Sequence, residues 1–346
     1  MERVTLGGSA VEVSRICLGT MTFGNQTDEA GGHQQMDMAL EAGMTFLDCA
    51  EMYPVNPVRR ETIGVSEEII GRWLARTGNR DRVEIATKIT GPSQMVRDGA
   101  PFDGATVRAC IDASLRRLQT DRIDLYQLHW PVRGSYGFRQ NWGFDPSGQD
   151  KAQTLAHMRD VLEALKEAVA AGKLRAVGLS NESAWGLTRW CDVADAMDAP
   201  RMAAIQNEYS PLYRLYDTDL AEAAVNEDVT LLSYSPLAAG GRAARGQPPG
   251  GGQGHRRAGQ PGRAQDRARA EGCGRLWRAG GRAWLGRDPH GHRLAADAAV
   301  QGGADHWRHD DRPAAPPDRG PGPRPARRAA SRDRASAPRP SAALLM

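Results

Sequence analysis

The sequence predicts a parallel α/β barrel of the (β/α)8, or TIM-barrel, type, incomplete at about seven strand–helix units. Three observations lead there. Apolar strand patterns alternate with amphipathic helix patterns seven times before residue 240, the order that right-handed crossovers turn into a parallel sheet. Three of the strand patterns end in residues that chemistry can use: Phe46-Leu47-Asp48, Val83 through Lys88, and Ile123 through His129. In a parallel barrel such strand ends share one face, and that face holds the active site. Finally, the pattern stops where an eighth unit should begin, because from Gly241 on the chain has no Ile, Phe, Tyr, Lys, Asn or Thr.

Taken in order, Val4-Thr5-Leu6 and Val11-Glu12-Val13 flank Gly7-Gly8-Ser9 and predict a hairpin. Arg15 to Thr22 reads as the first barrel strand and 31–43 as a helix stopped by Gly43. The strand 45–50 follows, then a Pro-rich loop over 54–64. Ser66 is expected to cap a helix running to about Ala75, with Glu67 and Glu68 in its first turn where the helix dipole favours acids. After strand 83–89, Asp103 caps a helix whose Val107, Ile111, Leu115 and Leu118 share one face. Strand 123–129 leads into a long loop, 131–153, bearing Tyr136, Phe138, Trp142 and Phe144. Leu155, Met158, Leu162, Leu165 and Val169 then mark a helix stopped by Gly172. Strand 175–181, helix 183–197, strand 202–208, a helix from Asp217 to about 227 and strand 229–235 complete the series.

The chain divides at about residue 240. Residues 1–240 carry 24 Lys and Arg against 33 Asp and Glu, whereas 241–346 carry 21 Arg, no Lys and 9 acids. The second part has 18 Gly and 12 Pro in 106 residues, too little apolar surface to offset chain entropy. It reads either as a natural disordered basic tail or as the product of a reading-frame shift near codon 240, since a GC-rich gene read out of frame yields mostly Arg, Gly, Pro and Ala. Gly250 to Gly254 follows no strand and lacks the GK[ST] ending of a phosphate loop. The tail's His290, His292, His306 and His309 offer no reason to expect a metal. Five scattered Cys without a CxxC pair fit a reducing cytoplasm, and neither a signal peptide nor a membrane span is expected.

Strand ends that gather a carboxylate, a phenol, an amine and an imidazole on one face suit proton transfer. A free tyrosine, with a pKa near about 10, is a poor acid at neutral pH. A neighbouring ammonium favours phenolate, and a carboxylate keeps that ammonium charged and aimed. FLDCAEMY at 46–53, the ATK before Ile89 and DLYQLHWP at 124–131 resemble the signatures of the aldo/keto reductase family, over residues 1 to 240. The resemblance implies an oxidoreductase that reduces an aldehyde or ketone with NADPH. Tyr53 would be the general acid, Lys88 the modulator of its pKa, Asp48 the partner of Lys88, and His129 the group that polarises the substrate carbonyl. It also implies that Ser180, Asn181 and Gln206 bind the nicotinamide carboxamide and that Tyr234 stacks on its ring. Ser235 and Leu237 would touch the pyrophosphate, and Thr20, Met21 and Thr22 the cofactor side of the first strand. No residue matches the family's set for the adenosine 2′-phosphate. Trp130 and the loop aromatics suit an apolar substrate wall, or plain loop packing.

With only seven strands the sheet would keep two open edges. Poor solubility and very weak cofactor affinity are therefore expected of the chain as written. Two other readings stand beside the enzyme. One is a catalytically silent cofactor-binding or regulatory subunit, against which the complete Asp–Tyr–Lys–His set argues. The other is incidental, salt-sensitive nucleic-acid binding by the 21 tail arginines.

Overall fold

The computed structural model describes residues 1–236 and the short strand 294–297. The hairpin forms from β1 (Arg3–Thr5) and β2 (Glu12–Ser14), with Val4 opposite Val13. The remaining strands are β3 (Ile16–Gly19), β4 (Phe46–Asp48), β5 (Glu84–Ile89), β6 (Ile123–Leu128), β7 (Leu174–Ser180), β8 (Met202–Glu208) and β9 (Thr230–Tyr234). They pair in parallel, each with the next in sequence, as the alternating pattern predicts. The helices between them are α1 (Glu29–Glu41), α2 (Val65–Thr77), α3 (Gly104–Leu118), α4 (Lys151–Ala170), α5 (Ala184–Ala196) and α6 (Asp219–Asn226). No helix among the described residues is long and apolar enough to cross a membrane.

The eighth place is taken by a four-residue strand, β10 (Leu294–Asp297), which pairs with both β3 and β9 and closes the ring. The two edges expected to lie open are therefore paired. A ladder is built from backbone groups, so a stretch without β-branched residues can supply it, and its composition gave no sign of it. The rest of 241–346, with the readings of that segment as disordered or out of frame, lies outside the described residues.

Local chemistry accounts for most helix starts. Asp28, Asp103, Asp150 and Ser183 each cap a helix by accepting a backbone N–H from the first turn. Ser66 does not. The helix begins at Val65 behind Gly64, and the Ser66 hydroxyl is buried, donating to the Thr20 carbonyl at 2.9 Å. A cap residue must sit outside the first turn with its side chain free to fold back, and Ser66 is already inside it. Gly71 lets α2 approach α3, because a Cβ there would lie 2.1 Å from the Arg117 carbonyl oxygen.

Side chains alternate across each strand, so one set faces the helices and the other the barrel axis. The inner set changes character along the axis. Cys17, Phe46, Ala86, Leu125, Ala176, Ala204 and Leu232 form a dry lower layer, closed from below by Leu6, Val11 and Val13 of the hairpin. Two residues further along four of those strands stand Asp48, Lys88, Gln127 and Gln206, all buried. The barrel is thus apolar at its floor and polar at the C-terminal mouth.

Candidate active site

Lys88 is fully buried, and its Nζ donates to Asp48 Oδ2 and to the Cys49 carbonyl, both at 2.6 Å. The other Asp48 oxygen accepts from Gln206 Nε2 at 2.9 Å and Gln127 Nε2 at 3.4 Å. An ion pair taken out of water holds only if its remaining lone pairs and protons are satisfied, and the two amides supply that. The same ammonium stands 5.0 Å from the centroid of the Tyr53 ring. The Tyr53 ring meets His129 edge to face, with centroids 5.8 Å apart and planes at 77°. All four residues predicted to carry the chemistry therefore converge at one place.

Burial, reinforced by the Lys88 charge, holds the His129 pKa well below its ordinary value, so its imidazole is neutral near pH 7. Its Nδ1 is buried with no hydrogen-bond partner among the described residues. A bare lone pair is tolerated there better than an orphaned N–H, which leaves the proton on Nε2.

Around this centre the predicted cradle residues also meet. Asn181, held in the left-handed region at φ 53°, donates from Nδ2 to the His129 carbonyl and to Ser180 Oγ, both at 3.0 Å. Its Oδ1 accepts from the Tyr234 hydroxyl at 2.8 Å, and Ser180 Oγ donates to the Gln206 carbonyl at 2.8 Å. Burial pushes the Tyr234 phenol well above its ordinary pKa, so it stays neutral. Two amides, a hydroxyl and a flat phenol meet here, with Asn181, Ser180 and Tyr234 donating to one another and to backbone carbonyls. Asn207 Oδ1 adds a buried acceptor without a partner among the described residues. An unpaired acceptor in the same pocket as the Tyr234 ring suits the N–H groups and the ring of a nicotinamide.

The first strand's loop divides. Thr20 is fully buried, and its hydroxyl donates to the Asp48 carbonyl at 2.9 Å and lies 2.9 Å from Ser66 Oγ. Its side chain pins the end of β4. Met21 packs on the core, and the Thr22 hydroxyl meets that of Thr27 at 3.0 Å. Ser235 adopts φ 51° just past β9, and Leu237 lies outside the described residues.

The loop after β6 crosses this mouth. Trp130 packs tilted on His129 at 4.9 Å, and Phe138 meets Trp130 edge to face at 5.5 Å. Tyr136 and Phe144 pair at 6.2 Å, whereas Trp142, 96% exposed, belongs to no wall in this structure. Gly137 lets the loop lie against Asn181, since a Cβ there would fall 2.8 Å from Asn181 Cβ. Arg139 ties the loop to the end of β8 by a bond of 2.6 Å to Glu208.

Sequence reasoning missed several buried polar residues. Gln127 had a visible signal, an amide inside the otherwise strand-like run Ile123 to Leu128. Glu51 lay in the quoted motif but was given no role. It is buried and bonded to Arg97 Nη1 at 2.7 Å and to the Thr90 amide at 2.8 Å. Arg97 had no signal, since nothing in a polar loop marks which arginine turns inward.

Comparison with known proteins gives the family of the chain. The model of the aldo/keto reductase family matches residues 15–273, further than the 1–240 over which the motifs carried the resemblance. The chain is 45% identical over 236 residues to Protein tas of Escherichia coli, a stretch covering 67% of each protein. It is 34% identical over 246 residues to the uncharacterized oxidoreductase YrpG of Bacillus subtilis, covering 69% of this chain and 68% of that one. Over 245 residues it is 29% identical to the norsolorinic acid reductase stcV of Emericella nidulans, covering 67% of this chain and 56% of that one.

Proposed function

The chain belongs to the aldo/keto reductase family, and we propose that it reduces an aldehyde or ketone to the alcohol, using NADPH and Tyr53 as general acid. The observation that supports this best is the fully buried Lys88 ammonium, fixed by Asp48 at 2.6 Å and 5.0 Å from the Tyr53 ring. A cation so placed lowers the cost of phenolate, and so makes the phenol a better acid near neutral pH.

NADPH, when bound, supplies the hydride; Ser180, Asn181, Gln206 and Tyr234 would hold its carboxamide and ring, with Met21, Thr22, Ser235 and Leu237 beside the rest of it. The protein's own residues handle the proton. His129, neutral and protonated on Nε2, donates a hydrogen bond to the carbonyl oxygen and draws charge onto it. Tyr53 gives that oxygen its proton as the alcohol forms. Lys88 stabilises the phenolate left behind, and Asp48, held by Gln206 and Gln127, keeps Lys88 charged. Trp130 and Phe138 border the site with apolar surface and favour a substrate with an aromatic or alkyl body. We take residues 1–240 as the catalytic domain, working in the cytoplasm on a small-molecule carbonyl.

The test is NADPH oxidation at 340 nm with 4-nitrobenzaldehyde and the full chain. Turnover that is lost in Tyr53→Phe is the expected result. NADPH binding without turnover in the wild type would point to the silent subunit instead.

A further inference from the structure

The turn that carries Tyr53 is attached to the strand that carries Lys88 by a series of bonds, shared between Cys49 and Glu51. Cys49 N donates to the Ala86 carbonyl at 2.8 Å and Glu51 N to the Lys88 carbonyl at 2.9 Å. The Glu51 side chain then reaches further along the same strand, where Oε2 accepts from the Thr90 amide at 2.8 Å. Its Oε1 accepts from Arg97 Nη1 at 2.7 Å and from Cys110 Sγ at 3.3 Å. The turn therefore continues the parallel register of β4 on β5, through backbone first and a carboxylate last.

Arg97 is itself held in place at a cost. It and Asp98 have φ of 56° and 52°, a left-handed conformation uncommon for residues with side chains. The strained turn sends the guanidinium inward, where Nη2 also donates to the Thr90 carbonyl. Both backbone groups of Thr90, two residues past Lys88, are thus bonded to the Glu51–Arg97 pair. Cys110, its thiol pushed up to about 12 chiefly by burial, remains a neutral donor to the carboxylate. Tyr126 and Arg117 are other titratable or charged groups close enough to feel the Glu51 charge.

We infer that Glu51, with Arg97 as its counter-ion, is a positioning residue that fixes the register, and hence the separation, of Tyr53 and Lys88. The inference rests on the proton-transfer role proposed for those two. It acts on the phenol through geometry, and this gives it a sign that a charge effect does not share. Removing a nearby negative charge by itself makes phenolate easier to form. Releasing the turn moves the phenol from the ammonium and makes phenolate harder to form.

The experiment is an ultraviolet titration of the Tyr53 phenol in the full chain, taken as the difference between each protein and its Tyr53→Phe counterpart. Three backgrounds are compared: wild type, Glu51→Gln and Glu51→Asp. Glu51→Asp keeps the charge but falls one methylene short of Thr90. The expected result is a Tyr53 pKa raised by about one unit in both variants, with kcat at pH 7 reduced about tenfold and KM for NADPH within about twofold. A pKa that falls in Glu51→Gln and stays put in Glu51→Asp would show a charge effect and overturn the inference, as would no change in either. If Glu51→Gln fails to fold, Glu51→Asp decides alone. Because the titration needs no turnover, a wild type without reductase activity sinks the proposed reaction while leaving the role of Glu51 to be read from the phenol.

Discussion

A buried lysine is tolerated only while its partners stay in place, and this governs what substitutions at the mouth of the barrel will do. Lys88→Met leaves Asp48 uncompensated at 2% exposure and should cost about 3–5 kcal/mol in denaturant unfolding, besides abolishing turnover. Tyr53→Phe, by contrast, should unfold at nearly the wild-type midpoint and lower kcat by about 10²–10⁴. His129 gives a pH prediction. Its folded-state pKa lies well below the unfolded value of about 6.5, so below that pH the unfolded chain binds a proton that the folded one does not. Stability should be unaffected by His129 above about pH 6.5 and fall as pH is lowered through the folded-state pKa, by up to about 1.4 kcal/mol per pH unit. Unfolding curves at pH 7.5, 6 and 5 check this, and His129→Gln should remove its part of the slope.

At the scale of elements, two positions separate local from tertiary effects. Asp103 caps α3 through the Thr106 amide at 2.8 Å, and Asp103→Ala should cost about 1 kcal/mol. Hydrogen bonds from Thr106 hold the Asp103 carboxyl below its ordinary pKa, so this contribution is full above about pH 4 and is lost as pH falls through the lower folded-state value. Gly71→Ala would improve helix propensity by about 1 kcal/mol yet should destabilise, because its Cβ has no room against the Arg117 carbonyl. Circular-dichroism melts of the two variants give the comparison; a stabilised Gly71→Ala would mean that α2 and α3 can separate cheaply.

Across the whole molecule, closure of the sheet is the issue. β3 and β9 are partnered on their outer sides by Leu294–Asp297, a segment that lies beyond the abrupt change in composition at residue 240. A chain ended after residue 240 would carry two bare edges and should self-associate at micromolar concentration, seen by size-exclusion chromatography, more than the full chain does. The reading-frame proposal is checked at the DNA level. One base inserted or removed near codon 240 should open a frame that encodes a strand, a cofactor loop and a terminal helix.

The barrel, and the strand ends that bring Asp48, Tyr53, Lys88 and His129 together, were legible in the sequence because both are written in short-range patterns. Strand and helix alternation sets a parallel sheet, and strand-terminal Asp48, Lys88 and His129 with nearby Tyr53 lie in runs that can be read residue by residue. Capping was legible where the polar residue stood just outside the helix, as at Asp103, and misleading at Ser66, where the hydroxyl was drawn to Thr20, 46 residues away in sequence. The tertiary structure alone decided which polar groups hold the chemical ones. Gln127 and Gln206 meet on Asp48 across the barrel, Arg97 turns in to Glu51, and Thr20 turns from the mouth into the core. The physical reason is that a buried polar atom takes whichever partner folding brings within about 3 Å, and that choice depends on contacts distant in the chain.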